Sequence, residues 1–244
     1  MELDLTVNGF PTKVYYSDGT RDRVLLPLVG RFRTLREEAG QRVIIFLAAP
    51  PGAGKSTLGK TLEYLAGGDL QCLSIDGFHR RNAELAKMVI ERPDGPKRGS
   101  EIKGAPETYD VDKLKANLAE LKTSGSQPVR FPFYDRNLHE PAEDAEAVTA
   151  PILLLEGNWL LYRGCGWEEL KDYADLTVFL DAEEADVREG LTRRKMRGGL
   201  TREEAEAWFE ASDGPNVRAV RSGSAPADIL LKRTAQGEIV WQKG

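Results

Sequence analysis

Cysteine and histidine are scarce in this chain, with two of each in 244 residues. Cys72 and Cys165 stand far apart, and neither belongs to a C-x-x-C pair, which excludes a disulfide framework and a zinc knuckle. Both are expected to be plain thiols. Long apolar runs are missing as well. The longest, Val43 to Ala49, is far too short to cross a bilayer, so no membrane partner is expected. The opening residues MELDLTVNGF carry no basic start followed by an apolar run, and a cytoplasmic location is expected from that absence. No basic stripe runs along the chain and the net charge is -5, which argues against general nucleic-acid binding by phosphate neutralisation.

What is present is an ordinary globular composition, 41% apolar and 30% charged, at a length suited to a single domain. Residues 3 to 16 alternate around Asn8-Gly9, the chemistry of a tight hairpin turn. Its edge could pair with a second subunit in a homodimer or complete a sheet within one chain. From Arg21 to Glu38, Val24, Leu25, Leu28, Val29, Phe32 and Leu35 recur at helical spacing despite Pro27, and Gly40 closes the segment. Four short β-rich runs, 43–48, 70–75, 151–156 and 176–181, are separated by helical patterns, the signature of buried parallel strands. They predict an α/β fold with a doubly wound, mainly parallel sheet, and PPGAGKST after the first run makes it a sheet of P-loop NTPase type. A final strand pair is expected at 227–231 and 238–242. Arg92 to Gly104, rich in glycine, proline and charge, reads as a mobile loop, either a linker or a substrate flap.

The first strong strand runs into Ala49-Pro50-Pro51-Gly52-Ala53-Gly54-Lys55-Ser56-Thr57, and a helical pattern follows. A triphosphate needs such a strand, tight loop and helix N-terminus, because converging N–H groups and the helix dipole meet its oxygens. Pro51, Gly52, Ala53, Gly54, Lys55, Ser56 and Thr57 are the candidate ATP-binding residues, with Lys55 reaching the β- and γ-phosphates and Ser56 ligating Mg2+. Ala49 stands where the motif has glycine, which would matter if that position were left-handed.

Three further groups could turn binding into chemistry. Asp76, in SIDGFH after the second strand, could accept the proton of an attacking hydroxyl, or it could be an Asp-Gly turn residue. Glu156, ending PILLLE, could order Mg2+ or face solvent. The cluster Arg193-Arg194-Lys195-Met196-Arg197 precedes Gly198-Gly199 and a capping box at Thr201 and Glu204. It reads as a hinged basic lid, with a helix-dipole or nucleic-acid role as alternatives.

PPGAGKST, SIDGFH, KGAPETYD, FPFYDRNLHEP, LLLEGNW, the arginine-rich segment and SDGPN occur in an order that resembles the family grouping uridine kinase, pantothenate kinase and phosphoribulokinase. The resemblance spans roughly Arg42 to Lys232. It implies that Asp76 is the catalytic aspartate, that Glu156 lies near magnesium, that Arg194 and Arg197 are lid arginines on the phosphates, and that Asn216 lies near the adenine. It assigns acceptor recognition to His79, Glu107, Tyr109, Tyr134, Asp135, Arg136 and His139. Uridine kinases have an aromatic residue where Arg136 and His79 stand, so a sugar, sugar acid or other polyol joins nucleosides and pantothenate as an implied acceptor. The expected layout is a hairpin and helix over 1–40 packed on a kinase domain over 41–244, with a lid near 193–215. The expected function is transfer of the γ-phosphate of Mg-ATP to a hydroxyl of a small molecule. The alternative is an ATP-binding regulatory protein without transfer.

Overall fold

The computed structural model describes residues 1–92, 95–125 and 127–243. The chain opens with an antiparallel hairpin of β1 (Glu2–Val7) and β2 (Phe10–Tyr15). Asn8 and Gly9 form its turn at φ of 54° and 82°, conformations that Asn and Gly tolerate best. Then come α1 (Asp18–Thr20), a π-helical turn (Arg21–Leu25) and α2 (Leu26–Ala39). Pro27 sits in the first turn of α2, where no backbone N–H is required of it. Gly40, at φ 64°, caps the helix in the left-handed region.

Next follow β3 (Val43–Ala48), α3 (Lys55–Ala66), β4 (Leu70–Ser74), α4 (Asn82–Leu85), β5 (Val89–Ile90), β6 (Lys97–Arg98) and α5 (Val111–Thr123). The remainder contains β7 (Val129–Asp135), β8 (Glu140–Val148), β9 (Ile152–Gly157), β10 (Leu176–Ala182), α6 (Glu184–Arg197), α7 (Arg202–Trp208), α8 (Gly214–Gly223), β11 (Ile229–Arg233) and β12 (Ile239–Lys243).

Among the described residues the main sheet has six strands in the order β12-β11-β10-β3-β9-β4. Strands β11, β10, β3, β9 and β4 run parallel, and β12 closes one edge antiparallel to β11. Side chains alternate across β3: Val43, Ile45 and Leu47 enter one core with α2, α3 and α6, while Ile44, Phe46 and Ala48 enter a second core with α5. Both faces being covered explains why this strand reads as an unbroken apolar run. Each fully buried aliphatic side chain contributes about 1.5–3 kcal/mol.

The predicted strands are all present within a residue or two. The hairpin β7–β8, by contrast, was not foreseen as strand, and the segment Arg92–Gly104 is not purely loop. Lys97–Arg98 pairs with Val89–Ile90, and Arg92 is tied to Glu107 at 2.7 Å; Pro93 and Asp94 lie outside the described residues. Ala49 is fully buried and is absent from the described non-glycine residues with positive φ, so its methyl group carries no left-handed strain. Among the described residues no helix is long and apolar enough to cross a membrane, and both cysteines are free.

Candidate active site

The loop after β3 is shaped by Gly52 at φ 81° and Gly54 at φ 95°, the latter capping α3. A Cβ on Gly52 would also meet Leu191 Cγ at 2.9 Å, so glycine serves both the turn and the close approach of α6. The loop lines a cavity of about 210 Å3 together with Lys55, Ser56, Thr57, Leu191 and Arg194. Gly190, Val7 and Asn8 complete its wall.

Strand register delivers the acidic partner. Leu47 pairs with Glu156 and Ala48 with Gly157, placing Glu156 beside the start of α3. Ser56 Oγ donates to Glu156 Oε1 at 2.7 Å, and Lys55 Nζ lies 3.7 Å from Oε2. Glu156 is only 3% exposed, which rules out the solvent-facing alternative. Oε2 has no hydrogen-bond partner among the described residues, an unmet acceptor that a cation would satisfy. No group of three or more His, Cys, Asp or Glu side chains is placed to hold a metal ion among the described residues. A divalent ion here would therefore rest on Ser56, Glu156 and phosphate oxygens, a donor set that suits Mg2+.

A second, larger cleft of about 760 Å3 adjoins this one. Asp76 enters it from the 3-10 turn Ile75–Phe78, whose start is fixed by a hydrogen bond from Asp76 N to Ser74 Oγ at 3.2 Å. The adjacent Gly77 lets β7 pass directly overhead: a Cβ there would sit 2.1 Å from the Pro132 carbonyl oxygen. That contact brings the end of the β7–β8 hairpin over Asp76. Arg136 Nη2 donates to Asp76 Oδ2 at 2.9 Å and to Asn8 Oδ1 at 3.1 Å. Tyr134, Asp135, Arg136, Asp76, Ser56 and Glu156 all line this cleft. Asp135 also accepts from the N–H groups of Asn137 and Leu138, fixing the turn that carries Arg136.

His79 stacks on Tyr109 at 3.9 Å between ring centroids and meets Tyr134 edge-on at 5.5 Å. Burial pushes the His79 imidazole down to about 4, partly offset by the Asp76 carboxylate, so the ring is neutral at pH 7. Burial likewise pushes the Tyr134 hydroxyl up to about 12, with Asp76 acting in the same direction. Tyr109 is buried, and the segment holding it is pinned by two buried indoles. Trp159 Nε1 donates to the Gly104 carbonyl at 2.9 Å and Trp167 Nε1 to the Pro106 carbonyl at 3.1 Å.

Other expected residues stand apart. Glu107 is engaged by Arg92 and lies 3.6 Å from Cys165 Sγ. His139, at φ 52°, offers its carbonyl to Lys103 Nζ at 2.6 Å. None of His79, Glu107, Tyr109 and His139 lines the large cleft, whereas Tyr134, Asp135 and Arg136 do. Arg194 reaches the loop cavity, whereas Arg197 is exposed and lines neither cavity, and Arg193 pairs with Glu189 at 3.5 Å. Asn216 Nδ2 lies 3.9 Å from the position a Cβ on Gly104 would take, near the segment that carries Glu107 and Tyr109. The capping box at Thr201 and Glu204 is formed. Two residues were not foreseen. Arg233 Nη1 contacts the Gly52 carbonyl at 3.5 Å, and Asn8 faces both cavities. The hairpin turn was legible at Asn8, but nothing local showed where it points.

The Phosphoribulokinase / Uridine kinase family model matches residues 44–239. The chain is 41% identical over 243 residues to the Escherichia coli K12 protein named Uncharacterized protein YggC, covering 97% of this chain and 98% of that one. It is 32% identical over 164 residues to a pantothenate kinase of Bradyrhizobium sp. ORS 278, covering 62% of this chain and 48% of that enzyme. The structure of D-glycerate 3-kinase from Cryptococcus neoformans aligns with a TM-score of 0.73 at 16% identity, covering 90% of this chain and 99% of that one, which is a likeness of fold. With the phosphate loop, its buried carboxylate and the parallel sheet in place, the match over most of its length makes this chain a P-loop kinase of the phosphoribulokinase/uridine kinase family.

Proposed function

We propose that this protein transfers the γ-phosphate of Mg-ATP to a hydroxyl group of a small molecule. The observation that carries the reading is the placement of Asp76 and the Ser56–Glu156 pair in the lining of one cleft. Phosphoryl transfer asks chiefly for positioning and charge compensation, with a carboxylate to orient the nucleophile. Mg-ATP supplies the phosphoryl group and the metal charge. The loop N–H groups and Lys55 hold the phosphates, Ser56 and Glu156 hold the ion, and Arg194 adds positive charge from α6. Arg136 occupies Oδ2 of Asp76, which leaves Oδ1 to take the proton of the acceptor hydroxyl.

The 760 Å3 cleft suits a small acceptor, and Arg136 supplies it with a charged hydrogen-bond donor. Sugars, sugar acids, nucleosides and pantothenate-like alcohols are the acceptor classes to try. ADP release with Mg-ATP and each class tests the reading. Stimulation by at least one acceptor is expected; none across all of them, with ATP still bound, would favour a regulatory ATP-binding protein.

A further inference from the structure

Asn8 and Ser56 are the two described residues common to the linings of both cavities. Ser56 belongs to the phosphate loop. Asn8 does not: it comes from the N-terminal hairpin, before residue 44 where the family match begins. The hairpin is firmly seated. Leu3, Val7, Val14 and Tyr16 are buried, Val14 and Tyr16 join the core that holds α3, and Thr61 of α3 lies 3.3 Å from the Tyr16 hydroxyl. Its tip is thus a fixed wall of the site.

The chemistry of the tip is decided by Arg136. A guanidinium only donates hydrogen bonds, so the Asn8 atom facing Arg136 Nη2 at 3.1 Å must be the carboxamide oxygen. The Nδ2 amide, with two donors, then lies on the other side of the carboxamide. The other cavity lined by Asn8 holds the phosphate loop, Lys55 and Arg194. The junction marked by Asn8 and Ser56 is where a terminal phosphoryl group would pass from the loop toward Asp76.

Resting on the kinase reading above, we propose that Asn8 Nδ2 donates to the γ-phosphate of bound ATP while Oδ1 holds Arg136, making the N-terminal hairpin part of the transfer site. One residue then touches the donor phosphate and, through Arg136, the acceptor base Asp76.

Calorimetric titration of the full chain with Mg-ADP and with the non-hydrolysable Mg-AMP-PNP tests this without a known acceptor. Asn8→Gly keeps the left-handed turn and removes only the carboxamide. Asn8→Asp keeps an oxygen for Arg136 but puts a negative oxygen where the donor was. Expected is a loss of about tenfold in AMP-PNP affinity for Asn8→Gly, the size of one hydrogen bond to a charged group, with ADP affinity within twofold of wild type. Asn8→Asp should lose more AMP-PNP affinity and again spare ADP. Should Asn8→Gly fail to fold by circular dichroism, Asn8→Asp carries the same comparison. Equal weakening of both nucleotides, or no weakening of either, overturns the assignment while the kinase reading stands. Wild-type protein that binds neither nucleotide overturns the kinase reading and this inference with it.

Discussion

Arg136 Nη2 lies 2.9 Å from Asp76 Oδ2, joining the tip of one hairpin to a turn 60 residues earlier. Both side chains are about a third exposed, so the pair adds little to stability; its value is geometric. The planar fork of Arg136 reaches Asn8 and Asp76 with one nitrogen, which a lysine ammonium on a flexible stem would not hold in the same way. Arg136→Leu and Arg136→Lys should both cut kcat/KM for the acceptor by about 10–100-fold, in line with 1.5–3 kcal/mol for a charged hydrogen bond. Denaturant midpoints should shift by less than about 1 kcal/mol equivalent. Steady-state kinetics alongside urea melts separate the two effects.

Removing the carboxylate itself should act on chemistry and spare nucleotide binding. Asp76→Asn is expected to lower kcat by about 10²–10⁴-fold, the usual loss of one general base. AMP-PNP binding should stay close to wild type. Turnover within a few-fold of wild type would remove Asp76 from the role of base.

Glu156 makes a different prediction, because it faces Ser56 and Lys55 while almost wholly buried. Glu156→Gln keeps the shape and removes the charge. The Mg2+ concentration for half-maximal activity should rise at least about tenfold, as expected when a charged ligand of the ion is lost. An unchanged Mg2+ titration would show that this carboxylate does not serve the metal.

His79, packed between Tyr109 and Tyr134, ties this region to acid stability. Its folded value, about 4, lies below the ordinary value of 6.5, so between the two the unfolded chain binds the proton that the folded chain refuses. Stability from this group is complete above about pH 6.5 and falls as pH drops toward 4, by on the order of 3 kcal/mol. Urea melts of wild type and His79→Gln at pH 7 and pH 4.5 check the sign: wild type should lose more on acidification than the variant. A greater loss in the variant would mean that His79 is not held neutral by burial.

Gly77 is the packing test of the same region. A methyl group there would overlap the Pro132 carbonyl and the Phe133 nitrogen at 2.1 and 2.8 Å, both backbone atoms that cannot rotate away. Gly77→Ala should therefore displace β7, cost about 1–3 kcal/mol of stability, and disturb the Arg136–Asp76 contact. A variant with wild-type melting and wild-type kcat would show that the hairpin yields at no cost.

Much of this architecture was legible in local patterns. The central strands β3, β9 and β10 announce themselves because they are buried on both faces, and the phosphate loop because glycine and lysine spacing is dictated by the ligand geometry. The hairpin β7–β8 was not legible as strand. Its second strand, EPAEDAEAV, is mostly Glu, Ala and Asp, which favour strands weakly, and its pairing with VRFPFYD is supplied by the tertiary site. Asn8 and Arg233 were missed for a related reason. Each acts on residues more than a hundred positions away, and no periodicity reports such a meeting. His79, Glu107, Tyr109 and His139 lay in matching blocks, yet none of them lines the cleft.

The register that sets Leu47 against Glu156 has an evolutionary corollary. Both strands of that pair are buried on every residue, so a slip by one position would turn the carboxylate away and throw a row of leucines onto the wrong face. The donor end is therefore locked to the ladder of the sheet and has little room to drift. The β7–β8 turn, the loop around Lys103 and the tip of the N-terminal hairpin lie off that ladder. Changes in the surroundings of Asp76 have most room there, in three segments far apart in the sequence that meet only in the folded chain.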